Sequence, residues 1–354
     1  MISVLRKNLV DLPISYSLNY FWSNGFVLSM FVVFQIISGI FLSFLYISDS
    51  VITFFTVTSF SNDEFFTWCL RYWHMVGVNI LFILLFVHMC RSLYYGSYSN
   101  VAVWNVGFVL YLIMMIEAFT GYILPWHQMS YWAATVLTSI ISSLPGFGSI
   151  VYEYVVGGFS ISGETLARVF SIHVCLGFLM LGVIIVHMQY LHSSGSSNPL
   201  YFFNMHSDII YFHSYFTVKD LFLLMIILTG VLSWLFLCPD LMVDIESYIE
   251  ADQLSTPVSI KPEWYFLSFY AILRCIGSKI GGLVLIISFL FFLWVPTSGE
   301  CSVYSLCRQF NFWLIVSLFL SLIYYGTCHP EYPYLTICQI CSGLMLFLML
   351  LFKL

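Results

Sequence analysis

The sequence predicts an all-α integral membrane protein with eight transmembrane helices. Of its 354 residues, 61% are hydrophobic and only 8% are charged, whereas about 25% of the residues in an ordinary soluble domain are charged. Long apolar stretches recur along the chain, and they are too continuous for the alternating strands of a membrane barrel. Because backbone groups must be paired within the lipid, such stretches cross it as helices.

A span takes about 20 mostly apolar residues, and the chain contains eight such stretches separated by short polar segments. They lie near residues 22–45, 68–94, 101–124, 166–191, 220–238, 280–295, 310–325 and 334–352. With eight spans both termini lie on one side of the membrane, and we expect this to be the inner side, where Lys and Arg concentrate. The outer loops are then acidic, which would suit a basic soluble partner or reflect simple solvation.

The N-terminal residues, which include Arg6 and Lys7, lead into an amphipathic stretch near residues 11–20 and do not resemble a cleavable signal. We therefore expect a product made in the compartment it serves, such as an organelle-encoded protein. None of the ten cysteines forms a CxxCH motif for covalent haem attachment. Cys338 and Cys341 form a CxxC in the last span, and we interpret them as core residues. With a net charge of −6, we expect no nucleic-acid partner.

Four histidines lie inside predicted spans, where ionisable side chains are costly and commonly functional. His74 and His88 are 14 residues apart in the second span, and His173 and His187 are 14 apart in the fourth. Fourteen residues return to within about 40° of the same helix face and cover about 21 Å along the axis. The two spans run in the same direction, so His74 lies level with His173, and His88 with His187.

Each level therefore offers two facing imidazoles, which suits the axial ligation of a haem iron held without a covalent link. A zinc site would need further Cys, His or carboxylate ligands at each level, and none stands at the right depth. The sequence thus predicts two b-type haems stacked across a four-helix bundle in the N-terminal half of the chain.

Glycines repeat the 14-residue spacing in spans one and three. These residues are Gly25 and Gly39, and Gly107 and Gly121. Glycine lets a flat group approach the backbone, although small residues also serve ordinary helix packing; the repeat favours clearance for haem. Haem propionates need cations near the membrane surfaces, and interfacial snorkelling is the other interpretation of such cations. The candidates are Arg71, Arg91 and Arg168.

Several sequence blocks resemble the cytochrome b family of respiratory bc1 complexes, and the resemblance covers essentially the whole chain. The blocks are RYWH, LYYGSYS, GYILPWHQMSYW, LHSSGSSNP, FTVKD and PEWYFLSFYAILR. The resemblance implies a subunit of ubiquinol:cytochrome c oxidoreductase in the mitochondrial inner membrane. Its partners would be the Rieske iron–sulfur protein, cytochrome c1, other complex III subunits, membrane lipids and a second copy of the complex. Residues 1–200 would form the di-haem bundle, and residues 201–354 a C-terminal transmembrane domain with part of both quinone sites.

The resemblance also implies the Q cycle. Ubiquinol oxidised at an outer site (Qo) gives one electron to the Rieske protein and one to a low-potential haem between His74 and His173. That electron passes to a high-potential haem between His88 and His187 and reduces ubiquinone at an inner site (Qi). Each charge crosses against about 2.3 kcal/mol per 100 mV, so the crossing conserves energy for proton translocation.

Glu263 in the PEWY block is a carboxylate in an apolar, aromatic setting, where a raised pKa would let it accept a quinol proton near neutral pH. From the residues alone, an acid interacting with a helix dipole is an equal alternative. The resemblance assigns Glu263 to quinol oxidation, with Tyr270, Trp132 and residues 260–262, ending in Pro262, lining the pocket. At the inner site it assigns His192, Ser196, Lys219 and Asp220, among which the imidazole and the carboxylate would deliver protons.

Three residues depart from the family pattern. His127 stands where the family usually has Gly, close to the low-potential haem, so we expect haem packing or potential to differ there. Ala133 replaces a common Gly and should crowd the outer pocket. Glu117 lies mid-span where a small or neutral residue is usual, and we favour a buried, protonated acid that is satisfied locally over a member of a proton path.

Two other classes of protein fit parts of the pattern. A transporter could use intramembrane histidines to relay protons, and a haem spectrum reducible by quinol would distinguish the two. The cytochrome b6 of photosynthetic complexes resembles a split version with unequal histidine spacing, whereas both spacings here are 14 on one uninterrupted chain.

Overall fold

A computed structural model describes residues 2–200, 208–295 and 303–353 of the chain, and these residues are largely helical. The helices are α1 (Ile2–Leu9), α2 (Tyr20–Ser43), α3 (Thr53–Asn62), α4 (Phe65–Tyr94), α5 (Val101–Ile123), α6 (Gln128–Ser142), α7 (Gly148–Val156), α8 (Gly163–Ser194), α9 (Tyr215–Leu237), α10 (Trp264–Arg274), α11 (Lys279–Trp294), α12 (Leu306–Thr327) and α13 (Tyr334–Lys353). Two short strands, β1 (Pro13–Ser15) and β2 (Ile209–Tyr211), pair with each other.

Seven helices in the described part of the chain are long and apolar enough to cross a membrane: α2, α4, α5, α8, α9, α12 and α13. They confirm seven of the predicted spans. The predicted span at residues 280–295 corresponds to α11, an apolar helix of 16 residues. At 1.5 Å per residue α11 is about 24 Å long, while the hydrocarbon core is about 30 Å thick. Lys279 and Trp294 stand at its two ends, where such residues anchor a helix at the membrane interfaces.

Short polar sequences set where the spans begin and end. Asn19 accepts a hydrogen bond from the backbone N–H of Phe21 at 3.0 Å and so starts α2. Ser162 and Thr165 form a reciprocal capping box at the start of α8. Gly195, with a φ of 79°, ends α8, and only glycine adopts this conformation without a steric cost.

The first four spans form a bundle with a gap through its middle. α2 packs extensively along α4, and α5 along α8, whereas α4 and α8 make no comparable contact. Polar contacts inside the apolar core also hold the two helices of a pair together. The amide of Asn24 on α2, for example, donates to the carbonyl of Leu84 on α4 at 2.9 Å. The helices that carry the four histidines therefore face each other, each backed by a glycine-bearing helix.

The C-terminal helices surround α10 and hold it against α4. Gly282 and Gly326 touch the backbone carbonyls of Leu273 and Leu267, so α11 and α12 approach α10 as closely as backbones can. The larger cluster of buried apolar side chains includes residues of both halves. The predicted division of the chain at residue 200 stays a prediction.

A hydrogen bond and a stacked ring pair are among the contacts that fix α10 to α4 directly. The ring of Tyr265 stacks on that of Phe82 with centroids 3.9 Å apart and planes 3° from parallel. The indole N–H of Trp264 donates to the side-chain oxygen of Asn79 at 2.7 Å. The start of α10 is thus held at a defined position on the helix that carries His74 and His88.

The paired strands β1 and β2 are a small exception to an otherwise helical chain. They run antiparallel, with Ile14 opposite Ile210, and join the segment before the first span to the segment before α9. Strands of three residues are too short to show an alternating pattern, and the sequence indicated only an amphipathic stretch at residues 11–20.

We expect the substitution Gly326→Ala to destabilise the protein, because its Cβ would collide with the carbonyl of Leu267. Overpacking of this kind costs about 1–3 kcal/mol. Gly343→Ala on α13 is the matched control, since a Cβ there meets nothing within 4 Å and alanine is favoured over glycine in a helix. Thermal unfolding of the purified protein should show a lower Tm for Gly326→Ala alone. Equal Tm values for the two variants would show that the α10–α12 contact tolerates an added methyl group.

Candidate functional site

The outer pair of histidines lies in the gap between α4 and α8. The rings of His74 and His173 have centroids 6.3 Å apart and planes at 79° to each other. A bond of about 2 Å from each imidazole to a metal ion accounts for about 4 Å of this separation, and the remainder matches the two ring radii. The pair is therefore spaced for one metal ion between the two rings.

The inner pair occupies the same gap nearer the other surface. His88 and His187 lie close enough to interact electrostatically. Arg91, one turn after His88, donates to Nδ1 of that ring at 3.2 Å and lies over the ring of Trp22. The structure thus brings together the two histidines of each predicted level.

In the outer pair each ring is oriented by a group on the neighbouring helix. Ser38 on α2 lies 2.9 Å from Nδ1 of His74, and the backbone carbonyl of Glu117 on α5 accepts from Nδ1 of His173 at 3.0 Å. A hydrogen bond at Nδ1 leaves the other ring nitrogen for a metal ion and fixes the ring orientation. Ser38 directly precedes Gly39, so it is close to a predicted residue, but its sequence position alone does not distinguish it from other serines.

His88 has the opposite hydrogen-bond pattern, since Arg91 donates to its Nδ1 and the proton of the neutral ring then sits on Nε2. For Nε2 to bind a metal ion, Arg91 must turn away and let Nδ1 carry the proton. Nε of Arg91 is buried without a hydrogen-bond partner. Both features fit an arginine placed to meet an anion, as predicted for a haem propionate.

The four repeated glycines each lie behind one histidine. A Cβ at Gly39 would be 3.2 Å from Cε1 of His74, and the corresponding distance from Gly121 to His173 is 2.7 Å. Gly25 and Gly107 stand in the same relation to the two inner histidines, at 3.2 and 3.1 Å. In this structure each glycine leaves room for an imidazole ring, which therefore lies against the neighbouring helix. That the glycines also make room for a flat cofactor stays a prediction.

The other two predicted cations differ in their placement. Arg71 lies within electrostatic range of both His74 and His127 at the outer level. Arg168 is exposed. Its guanidinium donates to the backbone carbonyl of Tyr154 and lies over the aromatic ring of the same residue. Arg71 is therefore positioned beside the outer pair, whereas Arg168 holds the end of α7.

Glu263 is the residue that immediately precedes α10. Burial, with a smaller effect of the Asp244 carboxylate, raises the pKa of Glu263 to about 7. Tyr122 at the end of α5 and Tyr265 on α10 also lie within electrostatic range of this carboxyl. Asp244 and Tyr122 were not identified from the sequence, because their positions in a loop and at a helix end carry no recognisable pattern.

The loop that contains Asp244 also reaches Trp132 on α6. It forms a short 3₁₀ helix (Ile245–Tyr248) that packs against α6. The indole N–H of Trp132 lies 3.2 Å from the backbone carbonyl of Asp252. This loop therefore lies between Trp132 and Glu263, with Pro262 next to Glu263.

Tyr270 lies two turns further along α10, half-buried, with the guanidinium of Arg274 over its ring at 4.3 Å. Arg274 in turn donates to the backbone carbonyl of Gly326 at 2.9 Å. Tyr270 is therefore held rigidly on the helix that Glu263 precedes.

The predicted inner-site residues lie at the inner ends of α8 and α9. Asp220 is buried and bonded to Ser23 on α2. Lys219 donates to the backbone carbonyl of Leu18 at 2.6 Å. His192 is half-buried near the end of α8, and Ser196 follows that helix and is exposed. Asp220 and Lys219 thus share one location beside α2, whereas Ser196 faces outward.

The three departures from the family pattern have distinct environments. His127 is buried before α6, where Nδ1 accepts from the N–H of Ser130, and burial together with the charge of Arg71 lowers its pKa to about 3. It is a neutral helix cap. Ala133 is also buried. Glu117 has one carboxyl oxygen 3.2 Å from Nδ1 of His173 and the other without a partner, so it is only half satisfied locally.

Within the described residues, no group of three or more His, Cys, Asp or Glu side chains is arranged to hold a metal ion. The CxxC pair faces Cys275, whose thiol lies 3.2 Å from the hydroxyl of Ser342. Cys338 and Cys275 are buried, as expected for residues of the core.

Two family models match the chain over most of its length. The model described as Cytochrome b/b6/petB matches residues 9–195, and the one described as Cytochrome b(C-terminal)/b6/petD matches residues 250–346. A chain in the solved structure of a hyperthermophilic respiratory Complex III has the same fold with a TM-score of 0.93 and 26% sequence identity, and the match covers 100% of this chain and 96% of that one. The chain therefore belongs to the cytochrome b family.

Proposed function

We propose that the chain is the di-haem cytochrome b subunit of a quinol:cytochrome c oxidoreductase, or complex III, and that it is catalytic within the assembled complex. The observation that carries this proposal is the pairing of histidines from α4 and α8 at two depths, with a glycine behind each ring. Similarity over the full length to a chain of a respiratory Complex III supports it.

Membership of the cytochrome b family implies haem b, and the residues of the gap fit it. His74 and His173 would hold a low-potential haem, and His88 and His187 a high-potential one. When bound, the haems supply one-electron transfer chemistry. Because histidines hold the iron and no covalent attachment motif is present, the haems would be non-covalent.

At the outer site, Glu263 would accept a proton from ubiquinol. A carboxyl with a pKa near the working pH takes up and releases protons readily, and Glu263 has a pKa of about 7 because it is buried close to Asp244. Tyr270, Trp132 and Pro262 would line the pocket. The Trp264–Asn79 bond and the stacked ring of Tyr265 would keep the carboxyl at a fixed position relative to His74.

At the inner site, Asp220 and Lys219 would bind the quinone reduced there, with His192 and Ser196 at the edge of the pocket. The buried carboxyl of Asp220 beside Ser23 is suited to deliver a proton as quinone is reduced. Electron entry at the outer site and exit at the inner site would move charge across the membrane, and proton uptake and release on opposite sides would complete a Q cycle.

The complex would lie in the mitochondrial inner membrane as a homodimer, with this multi-pass chain surrounded by lipid. Its electron acceptors would be the Rieske iron–sulfur protein and, through it, cytochrome c1. The sequence resemblance supports the location and these partners, and the long apolar helices support the multi-pass membrane placement.

The proposal is tested by counting b-type haems in the purified complex. We expect two haems per chain, one fewer in His74→Ala and in His187→Ala, and loss of quinol:cytochrome c activity in both variants. Reduced-minus-oxidised spectra with quinol as the reductant measure this. A native complex without any b-type spectrum would rule out the redox function and favour a proton-relaying transporter.

The packing behind the rings gives a second test. In Gly121→Val the added side chain would displace His173, because a Cβ alone would lie 2.7 Å from its Cε1. We expect the outer haem to be lost, while Gly182→Val on α8, where a Cβ meets nothing within 4 Å, retains both. The haem-to-protein ratio of each purified variant measures this. Two haems per chain in Gly121→Val would mean that the position of the His173 ring does not depend on this glycine.

The pKa of Glu263 predicts a pH dependence. Because only the carboxylate accepts a proton, quinol oxidation should speed up as the pH rises through about 7, the pKa of Glu263. Glu263→Gln should lower the rate by about 10²–10⁴-fold and abolish this rise.

Asp244→Asn is the matched control for Glu263→Gln. It removes a negative neighbour and should lower the pKa of Glu263, so the rise in rate should move to lower pH with Glu263 intact. Steady-state rates across the pH range measure both variants. A Glu263→Gln enzyme with the native profile would assign proton uptake to another group.

A further inference from the structure

Glu117 places a carboxyl group against the back of one histidine of the outer pair. Its Oε1 lies 3.2 Å from Nδ1 of His173, and the carboxyl is mostly buried, with 14% of the side chain exposed. Its Oε2 has no hydrogen-bond partner. The carboxyl lies against Gly177 on α8, where a Cβ would be in ordinary van der Waals contact with Oε1 at 3.4 Å. The carboxyl is therefore wedged between α5 and α8, directed at one ring nitrogen.

The contact is not needed to orient the ring. The backbone carbonyl of Glu117 already accepts from Nδ1 of His173 at 3.0 Å, and the hydroxyl of Thr120 lies 3.3 Å away. Thr120 donates its own proton to backbone carbonyls. Since these groups fix the ring, the carboxyl adds one more polar oxygen beside Nδ1.

Among the described residues, no carboxyl group lies beside the inner histidine His187 as Glu117 lies beside His173. Val103 lies 14 residues before Glu117 and stands four residues before Gly107, just as Glu117 stands four before Gly121. Nδ1 of His187 is directed at the backbone of Val103, and no described side chain pairs with it. The two levels of the bundle therefore share the glycine and the backbone carbonyl but differ in the carboxyl.

We propose that the side chain of Glu117 lowers the midpoint potential of the haem held by His74 and His173. The inference rests on the proposed di-haem function and deepens it. An acceptor at Nδ1–H makes an imidazole a stronger electron donor to its metal ion. The negative end of the carboxyl dipole, which points at the ring nitrogen, also favours the more positive, oxidised state of the iron. Both effects act on the outer level alone, so they steepen the downhill path from the outer haem to the inner one.

The test is a redox titration of both b haems in membranes that contain the assembled complex. In Glu117→Leu we expect the lower of the two midpoint potentials to rise, with the higher one unchanged. We expect a change of about tenfold in the reduced-to-oxidised ratio of that haem, which for one electron corresponds to about 59 mV. Glu117→Gln, which keeps an acceptor oxygen, should raise the lower potential by less.

Val103→Glu provides the mirror-image control, because it puts a carboxyl group at the equivalent turn of the inner level. It should lower the higher potential and leave the other unchanged. An unchanged lower potential in Glu117→Leu, or equal shifts of both haems, would overturn the proposal. If Glu117→Leu does not assemble, Glu117→Gln decides by the same criterion. A native membrane without a b-type spectrum would instead refute the di-haem function itself.

Discussion

Hydrocarbon offers no hydrogen-bond partners, so the polar side chains inside this bundle depend on partners within the protein, and several find them on another helix. Asn24 meets the backbone of α4, Asn79 meets Trp264, and Asn105 accepts from the indole of Trp294 at 3.0 Å. These contacts join helices that the hydrophobic effect alone would not hold in one register, because lipid tails are as apolar as the helix faces. The two histidine levels depend on this register.

The same constraint connects the two halves of the chain. α10 is bound to α4 by one hydrogen bond and one stacked ring pair, both located between His74 and His88 along that helix. The proposed quinol carboxyl of Glu263 is the residue that precedes α10. Electron entry and proton acceptance would therefore be positioned by a single rigid element, and a shift of α10 would change both together.

Much of this architecture is visible in the sequence because the membrane imposes a strong pattern. Long apolar stretches identified the spans, and the 14-residue repeats identified which histidines would meet and which glycines share their spacing. What the repeats could not reveal was the object that each glycine accommodates, since that depends on the distance between α2 and α4, or between α5 and α8. The structure shows an imidazole ring in each case.

Other features carried no periodic signal. Ser38 and Asp244 act through contacts between segments far apart in the chain, and helices α3, α6 and α7 are too short to span the membrane. The position of Glu117 in a span marked it as unusual, but only the fold shows that it meets His173. Arg168 illustrates the reverse case, because its place near an outer histidine in sequence does not bring its side chain into the gap.

The length of α11 has a consequence for the surrounding lipid. Both of its ends are held by hydrogen bonds: the carbonyl of Trp294 accepts from the indole of Trp104 on α5 at 2.9 Å, and Lys279 donates to Ser139 of α6. Movement of the helix therefore cannot make up its shortfall of about 6 Å against a typical bilayer. Bilayers adapt to short helices by compressing, at an elastic cost of fractions of a kcal/mol per Å. The bilayer would be thinned around α11, which would make the protein sensitive to acyl-chain length.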